Sequence, residues 1–199
     1  CNDVEDSYKF NEIDDKFIAD FSKSTKEQIK FLSETIDGFR DFFDPNKQKR
    51  VFEISHAIET SLKLMGNQFE VNKIKLNLEI QNEKVYGIET ELEQVILNIL
   101  NNAIDVFKER NIENREINIK VLSKQSYTIL IMEDNAGGVK EENIEKIFDP
   151  YYTTKSTGTG TGLYMVKLVI KNSLHGDLKI SNSEKGLRYI IALPQKEEI

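Results

Sequence analysis

The chain has 199 residues, of which 39% are hydrophobic and 31% charged, and its formal net charge is −7 at pH 7. That length supports one core of ordinary size plus an accessory helix, whereas the negative charge disfavours nucleic acid, whose phosphates favour basic surfaces. The single cysteine, Cys1, excludes an internal disulfide and fits a reducing cytosol, and no apolar run is long enough to span a bilayer.

The first part of the chain predicts one long helix. Residues 1–12 are polar and acidic, and because the chain starts with Cys1 instead of methionine we expect a fragment or a processed piece. Residues 13–43 contain no proline, and apolar side chains recur in steps of three and four, which is typical of a helical bundle or coiled coil. These side chains are Ile29, Leu32, Ile36, Phe39 and Phe43. A helix packed on its own domain is the alternative, but a length of about 45 Å favours pairing with other helices.

After Asp44-Pro45, which should end that helix, hydrophobic periodicity predicts alternating strands and helices. In chain order they begin with an edge strand Phe52–Ile54, a helix Ala57–Phe69 and a half-buried strand Ile74–Ile80. The first of these helices is expected to be capped by Ser55, with Ile58, Leu62 and Met65 facing inward. There follow a helix of about Glu89–Glu109, strands around Ile117–Val121 and Thr128–Glu133, a helix Leu163–Leu174, and a hairpin of Leu178–Ser181 with Leu187–Leu193. The expected class is α+β, a two-layer α/β sandwich in which helices cover one face of a mixed sheet.

Two asparagines stand out on the helix Glu89–Glu109. Its apolar residues recur at helical spacing, so one face should pack on a core. Asn98 and Asn102 are four residues apart and therefore project from one side. Their neutral carboxamide oxygens suit Mg²⁺ that already carries phosphate oxygens.

A second motif, Asp134-Asn-Ala-Gly-Gly-Val139, follows a buried strand. The Asp134 carboxylate only accepts hydrogen bonds, which suits the exocyclic amine of adenine. Gly137 and Gly138 have no Cβ, so a flat ring could lie against the backbone there. The motif predicts the base end of a nucleotide pocket.

A third motif, Gly158-Thr-Gly-Thr-Gly-Leu163, precedes a predicted helix, so backbone N–H groups and the helix dipole could bind phosphate. A dinucleotide fingerprint would require glycine at position 163, which is Leu163. A P-loop would require Gly-Lys-Ser or Gly-Lys-Thr, and a eukaryotic-type kinase would require His-Arg-Asp and Asp-Phe-Gly. None of these triplets occurs in the chain.

Residues 98–103, 134–139, 148–155 and 158–163 resemble the N, G1, F and G2 boxes of bacterial sensor histidine kinases, within the GHKL superfamily of ATPases and kinases. The resemblance covers residues from about 13 to 194. It implies a Bergerat-type ATP-binding fold over residues 47–199, with ATP and Mg²⁺ as cofactors. Residues 1–46 would be part of the dimerisation and histidine-phosphotransfer region, with the helix of about 13–43 as the second helix of its hairpin.

Matched position by position, the resemblance implies that Asn98 and Asn102 bind Mg²⁺ and phosphates, that Asp134 binds the adenine amine, and that residues 148–155 form a mobile lid. The residues implied to contact nucleotide are Asn98, Asn102, Asp134, Ala136, Gly138, Val139, Ile147, Phe148, Thr154, Lys155, Gly158, Thr159, Gly160, Thr161, Gly162 and Leu163. Asn98, Asn102 and Lys155 are the implied catalytic residues.

The chain departs from the family pattern at two positions. Ala136 stands where the commoner pattern has glycine, and its methyl group narrows the backbone approach slightly. Asp105 stands where many members carry a basic residue that contacts phosphate. Lys155 in the lid is our candidate substitute for that contact.

Three functions compete on the sequence alone: a histidine kinase core, an ATP-driven conformational machine, and a non-catalytic nucleotide-binding dimerisation module. The machines of the superfamily activate water with a glutamate where this chain has Asn98, which is no general base. His56 and His175 are both expected to be structural, so the phosphate acceptor should lie upstream of Ile13 and the chain alone should not phosphorylate itself efficiently. For the kinase we expect a homodimer through the N-terminal helix, an upstream sensor segment and a cognate response regulator receiver domain. The catalytic part is expected in the cytoplasm, and membrane anchoring of the full-length protein is left open.

Overall fold

The computed structural model describes residues 14, 17, 18, 21, 22, 25, 48–155 and 160–197. The chain divides into two units, Cys1–Pro45 and Asn46–Ile199. In the first unit Phe17 and Phe21 are helical and their rings stack with centroids 6.3 Å apart, as side chains four residues apart on a helix do. The apolar positions predicted to form the helical seam, 29–43, lie outside the described residues. The dimerisation helix and the boundary at residue 46 therefore stay predictions.

The second unit alternates strands and helices. Its strands are β1 (Arg50–Glu53), β2 (Ile74–Ile80), β3 (Lys84–Gly87), β4 (Arg115–Lys124), β5 (Tyr127–Asp134), β6 (Asp177–Asn182) and β7 (Leu187–Pro194). Its helices are α1 (Ile54–Val71), α2 (Glu89–Glu109) and α3 (Gly162–Leu168), and α3 continues as a π-helical segment, Val169–Ser173. Two short 3₁₀ helices, Glu141–Asn143 and Lys146–Phe148, lie between β5 and α3.

Five strands form one mixed sheet in the order β2-β4-β5-β7-β6, with β2 parallel to β4 and every other pair antiparallel. Register puts buried side chains of neighbouring strands side by side, as with Val121, Leu130 and Ile191. They form the core with the inward stripes of α1 and α2. The predicted two-layer α/β sandwich with a mixed sheet is confirmed.

Helix α2 has the predicted bounds because its sequence fits a helix at both ends and along one side. Its buried residues follow helical spacing, from Leu92 through Ile96 and Ile99 to Phe107. Acidic residues occupy the first turn and Lys108 the last, each complementing the helix dipole. This helix carries both asparagines of the first motif.

The region around β1 differs from the prediction. Ile54 starts α1 instead of ending an edge strand, and β1 pairs with β3, a strand that the sequence analysis missed. Ser55 is not the N-cap: Glu53 holds that position, and the Ser55 hydroxyl donates to Asn82 Oδ1. β3 was missed because its four residues give too short an alternation to recognise. Of the three residues expected to face inward on α1, Ile58 and Met65 are buried, whereas Leu62 is only half-buried. Among the described residues, no helix is long and apolar enough to cross a membrane.

Candidate nucleotide-binding site

A cavity of about 480 Å³ opens between the C-terminal half of α2, the end of β5 and the start of α3. Cavities of this size are typical of small-molecule sites. It is lined by Asn102, Ala103, Asp105, Val106, Glu109, Arg110, Asp134, Ala136, Gly138, Val139, Lys140, Asn143, Ile147, Tyr152, Thr153, Thr154, Lys155, Gly160, Gly162, Leu163, Leu187 and Tyr189. Most of the residues singled out in the three motifs therefore meet at one place.

Asp134, the last residue of β5, is buried at one end of the cavity. Its Oδ1 accepts hydrogen bonds from the backbone N–H of Ala136 at 2.8 Å and of Leu187 at 3.4 Å. No hydrogen bond from a residue that the structure describes reaches Oδ2. Burial raises the pKa of this carboxyl above its usual value, and the two backbone donors and the Arg110 charge oppose that rise. One oxygen is thus fixed by the backbone, and the other is left to accept from a ligand.

The backbone after Asp134 requires glycine at Gly138. Its φ is +66°, and a Cβ there would come within 2.5 Å of Asn182 Oδ1. Asn182 on β6 makes two hydrogen bonds with the backbone of Val139, the residue after Gly138. The Asn182 Oδ1 accepts from the Val139 N–H at 2.8 Å, and the Asn182 Nδ2 donates to the Val139 carbonyl at 2.7 Å. The left-handed turn and this paired contact fix the backbone at this end of the cavity, where Gly138 presents no side chain.

Arg110, at the C-terminal end of α2, supports the same turn and was missed by the sequence analysis. Its Nη1 donates to the carbonyl of Ala136 at 2.6 Å and to that of Gly138 at 2.9 Å. Gly137, with φ +91°, gives room for this contact, because a Cβ there would lie 2.9 Å from Nη1. The pattern gave no signal for Arg110, because an arginine after a helix C-terminus is equally typical of an exposed residue that complements the dipole.

Gly186 lies in the turn between β6 and β7 and is buried against Asp134. A Cβ on Gly186 would lie 1.9 Å from the Asp134 carbonyl oxygen and 2.6 Å from Oδ1. Real Cβ atoms do not approach other atoms so closely. The glycine therefore lets the β6–β7 turn pack directly on the carboxylate.

At the opposite end of the cavity, Asn98 and Asn102 approach the start of α3. A Cβ on Gly162 would lie 3.7 Å from Asn98 Oδ1 and 3.9 Å from Asn102 Nδ2. Lys155 reaches the same place: its Nζ donates to Asn102 Oδ1 at 3.2 Å and to Asp105 Oδ2 at 2.8 Å. The side chain of Lys155 is 23% exposed and that of Asp105 is 53% exposed.

The segment that resembles the lid contributes only part of its residues to the cavity. Within residues 148–155, the cavity is lined by Tyr152, Thr153, Thr154 and Lys155, and Ile147 just before them also lines it. Phe148 does not line it and instead has Lys167 Nζ 5.7 Å from its ring centre. Of the other residues implied to contact nucleotide, Asn98 lies beside Gly162 without lining the cavity, and Thr161 precedes α3 without lining it. Gly158 and Thr159 lie outside the described residues.

Neither histidine lies at the cavity. His56 Nδ1 is hydrogen-bonded to Glu89 Oε1, and Arg50 Nη2 lies 2.5 Å from Glu89 Oε2. Burial raises the pKa of Glu89, but the hydrogen bonds from His56 and Arg50 outweigh burial and hold that pKa below its usual value. Glu89 is about 20 Å along α2 from Asn102, because a helix rises about 1.5 Å per residue. His175 occupies a left-handed turn, as expected, with φ +50°.

Residues 87–197 match the family model described as histidine kinase-, DNA gyrase B- and HSP90-like ATPase. Sporulation kinase B of Bacillus subtilis (strain 168) is 27% identical over 187 residues, which cover 92% of this chain and 42% of that protein. The chain therefore spans less than half the length of this relative.

Two solved structures of one kinase resemble the fold. The catalytic domain of histidine kinase ThkA has 27% sequence identity and a TM-score of 0.67, covering 74% of this chain and 96% of that one. ThkA in complex with the response regulator protein TrrA has 22% identity and a TM-score of 0.70, covering 93% of this chain and 54% of that one. The second likeness is one of fold alone. From the family match and the cavity together, the chain belongs to the histidine kinase-, DNA gyrase B- and HSP90-like ATPase family, and it carries an ATP-binding domain of the sensor histidine kinase type.

Proposed function

We propose that this chain is the ATP-binding kinase core of a two-component sensor, transferring the γ-phosphoryl group of ATP to a histidine outside the chain. The observation that carries the proposal is the Asp134 carboxylate, with Oδ1 held by two backbone N–H groups and Oδ2 left to accept a hydrogen bond. An amine on a flat ring satisfies that acceptor, and adenine offers one beside the side-chain-free surface of Gly138. We assign the base end of the cavity to adenine on this ground.

The opposite end fits a polyphosphate with its metal. Among the described residues, no group of three or more histidine, cysteine or acidic side chains could hold a metal ion by itself. The oxygens of Asn98 and Asn102 are neutral ligands suited to Mg²⁺ whose charge is largely met by phosphates. When bound, Mg²⁺ would neutralise charge that develops on the transferring group. Gly160 and Gly162 line this end of the cavity, and Lys155 supplies a cation there.

The residues around the phosphate end favour transfer to an acceptor over hydrolysis. Asn98, at the first position of its motif, cannot remove a proton from water. The chain's own part in the reaction is to bind, orient and neutralise, which is most of what phosphoryl transfer requires. His56 is fixed to Glu89 about 20 Å along α2 from Asn102. We therefore assign the acceptor to a histidine on another segment, brought in line with the γ-phosphate.

The proposed partners follow from the kinase assignment. A second copy of the chain would pair through the helix predicted for residues 13–43, and an upstream sensor segment would set its geometry. The phosphoryl group would pass to a response regulator receiver domain. ThkA, whose fold this chain shares, is described in complex with such a protein.

The direct test is phosphoryl transfer in trans. The chain is incubated with γ-labelled Mg·ATP, alone and with a separately produced dimerisation hairpin that carries a histidine, and acid-labile phosphate is measured. We expect label on the hairpin and little on the chain itself, since the in-line geometry is supplied by the hairpin. Strong labelling of the chain alone that is lost in His56→Ala or His175→Ala would contradict the assignment.

A further inference from the structure

The phosphate end of the cavity contains a carboxylate that a polyphosphate ligand should avoid. Asp105 lines the cavity three residues after Asn102, so the two side chains leave the same side of α2. Like charges repel, and the repulsion is screened less inside a cavity than on an open surface. A site for phosphates with an unpaired carboxylate beside it would bind them poorly.

Lys155 offsets that charge in the structure. Its Nζ lies 2.8 Å from Asp105 Oδ2 and 3.2 Å from Asn102 Oδ1, so one ammonium group joins the carboxylate to the asparagine of the phosphate end. An ammonium group has three donors, and these contacts use two of them. The third is left for a phosphate oxygen, and Lys155 therefore need not leave Asp105 to bind one.

We propose that Asp105 is a positioning residue that makes phosphate affinity depend on Lys155. This inference rests on the proposed function. With Lys155 in place the pair is neutral and its remaining donor faces the phosphates. Without Lys155 the same carboxylate repels them. Asp105 thereby converts the lysine from a helpful contact into a required one.

An opposite role would be competition, in which Asp105 withholds Lys155 from the ligand. The geometry of the pair argues against it, because the contacts with Asp105 and Asn102 use two of the three ammonium donors, so Lys155 can bind a phosphate oxygen without breaking the ion pair. The two roles predict coupling of opposite sign between the two residues. Under our proposal, replacing Asp105 reduces the damage done by losing Lys155; under competition, it increases that damage.

The test is a double-mutant cycle with Lys155→Ala, Asp105→Asn and the double variant, using titration calorimetry with Mg·ATP and with adenosine as a probe that lacks phosphates. Asparagine keeps the shape of Asp105 and removes only its charge. We expect Lys155→Ala to weaken Mg·ATP binding about 10-fold or more in the parent and about 3-fold or less beside Asp105→Asn, so the second substitution partly rescues the first. Adenosine affinity should be equal in all four proteins.

Equal losses in both backgrounds, or a larger loss beside Asp105→Asn, would overturn the proposal. A change in adenosine affinity would also overturn it, because it would mean that the residues support the fold of the whole pocket. If the parent binds neither Mg·ATP nor adenosine, the proposed function fails and this inference fails with it. If the parent binds both and the cycle shows no rescue, only the role of Asp105 is refuted.

Discussion

Replacing Gly186 with alanine should damage both stability and nucleotide binding, although Gly186 does not line the cavity. The added Cβ would lie 1.9 Å from the Asp134 carbonyl oxygen, 2.5 Å from its carbonyl carbon and 2.6 Å from Oδ1. The first two atoms belong to the backbone of a buried strand, which cannot move without disturbing the packing around it. Overpacking of a core typically costs about 1–3 kcal/mol, and because this clash is with backbone atoms we expect Gly186→Ala to lower the free energy of unfolding by about 3 kcal/mol. For a unit of this size that corresponds to a fall in Tm of about 6–12 °C.

Thermal unfolding followed by circular dichroism measures the stability change, and calorimetry with Mg·ATP measures the change in affinity. Affinity should fall because the base acceptor, Asp134, must shift to make room. Gly66→Ala is the matched control: Gly66 lies in α1, no atom lies within 4 Å of its added Cβ, and alanine favours a helix by about 0.5–1 kcal/mol. The Tm of the Gly66→Ala protein should rise slightly, and its affinity for Mg·ATP should be unchanged. A Gly186→Ala protein as stable as the parent and equally able to bind ATP would refute the packing argument.

Two further predictions concern charged contacts. Arg110→Met removes both hydrogen bonds to the base-end turn and should weaken ATP binding about 10-fold, since hydrogen bonds from charged groups contribute about 1.5–3 kcal/mol. Arg110→Lys should recover part of the lost affinity. Equal calorimetric affinities of the parent and both variants would contradict this role of Arg110. The hydrogen bond to Glu89 raises the pKa of His56. The stability that this contact gives the folded protein is therefore fully present below the unfolded pKa of about 6.5 and is lost as pH rises through the higher pKa of the folded protein. His56→Ala should therefore lower the free energy of unfolding more at acidic than at alkaline pH, and a pH-independent deficit in denaturant titrations would contradict the pairing.

The fold could be predicted from the sequence where periodicity is long. α2 and β2 have the bounds that their apolar spacing indicates. Prediction failed where four-residue elements depend on a distant partner: β3 exists because β1 pairs with it, and Ser55 was taken for a helix cap although its hydroxyl binds Asn82. Local propensity does not contain such contacts.

The residues of the site likewise divide into those that could be predicted from the sequence and those that could not. Asp134 and Asn102 could be predicted as cavity residues because residue type and spacing indicate which ligand atoms such side chains suit, and both line the cavity. Supporting residues could not be predicted. Arg110, Asn182 and Gly186 act through backbone contacts with residues 26 to 52 positions away in the chain, and nothing in their immediate surroundings distinguishes them from ordinary surface or turn residues.

The central claim, that Asp134 accepts the amine of adenine, is tested most directly by Asp134→Asn. The amide oxygen can still accept from the backbone N–H groups of Ala136 and Leu187, which turns the amide NH₂ toward the cavity, so a donor faces the adenine amine. Titration calorimetry should show ATP binding weakened at least about 10-fold, while inosine triphosphate, whose base presents a carbonyl at that position, binds better to the variant than to the parent. Thermal unfolding of the variant checks that it is folded. Unchanged ATP affinity in a folded Asp134→Asn protein, with no gain for inosine triphosphate, would contradict the account.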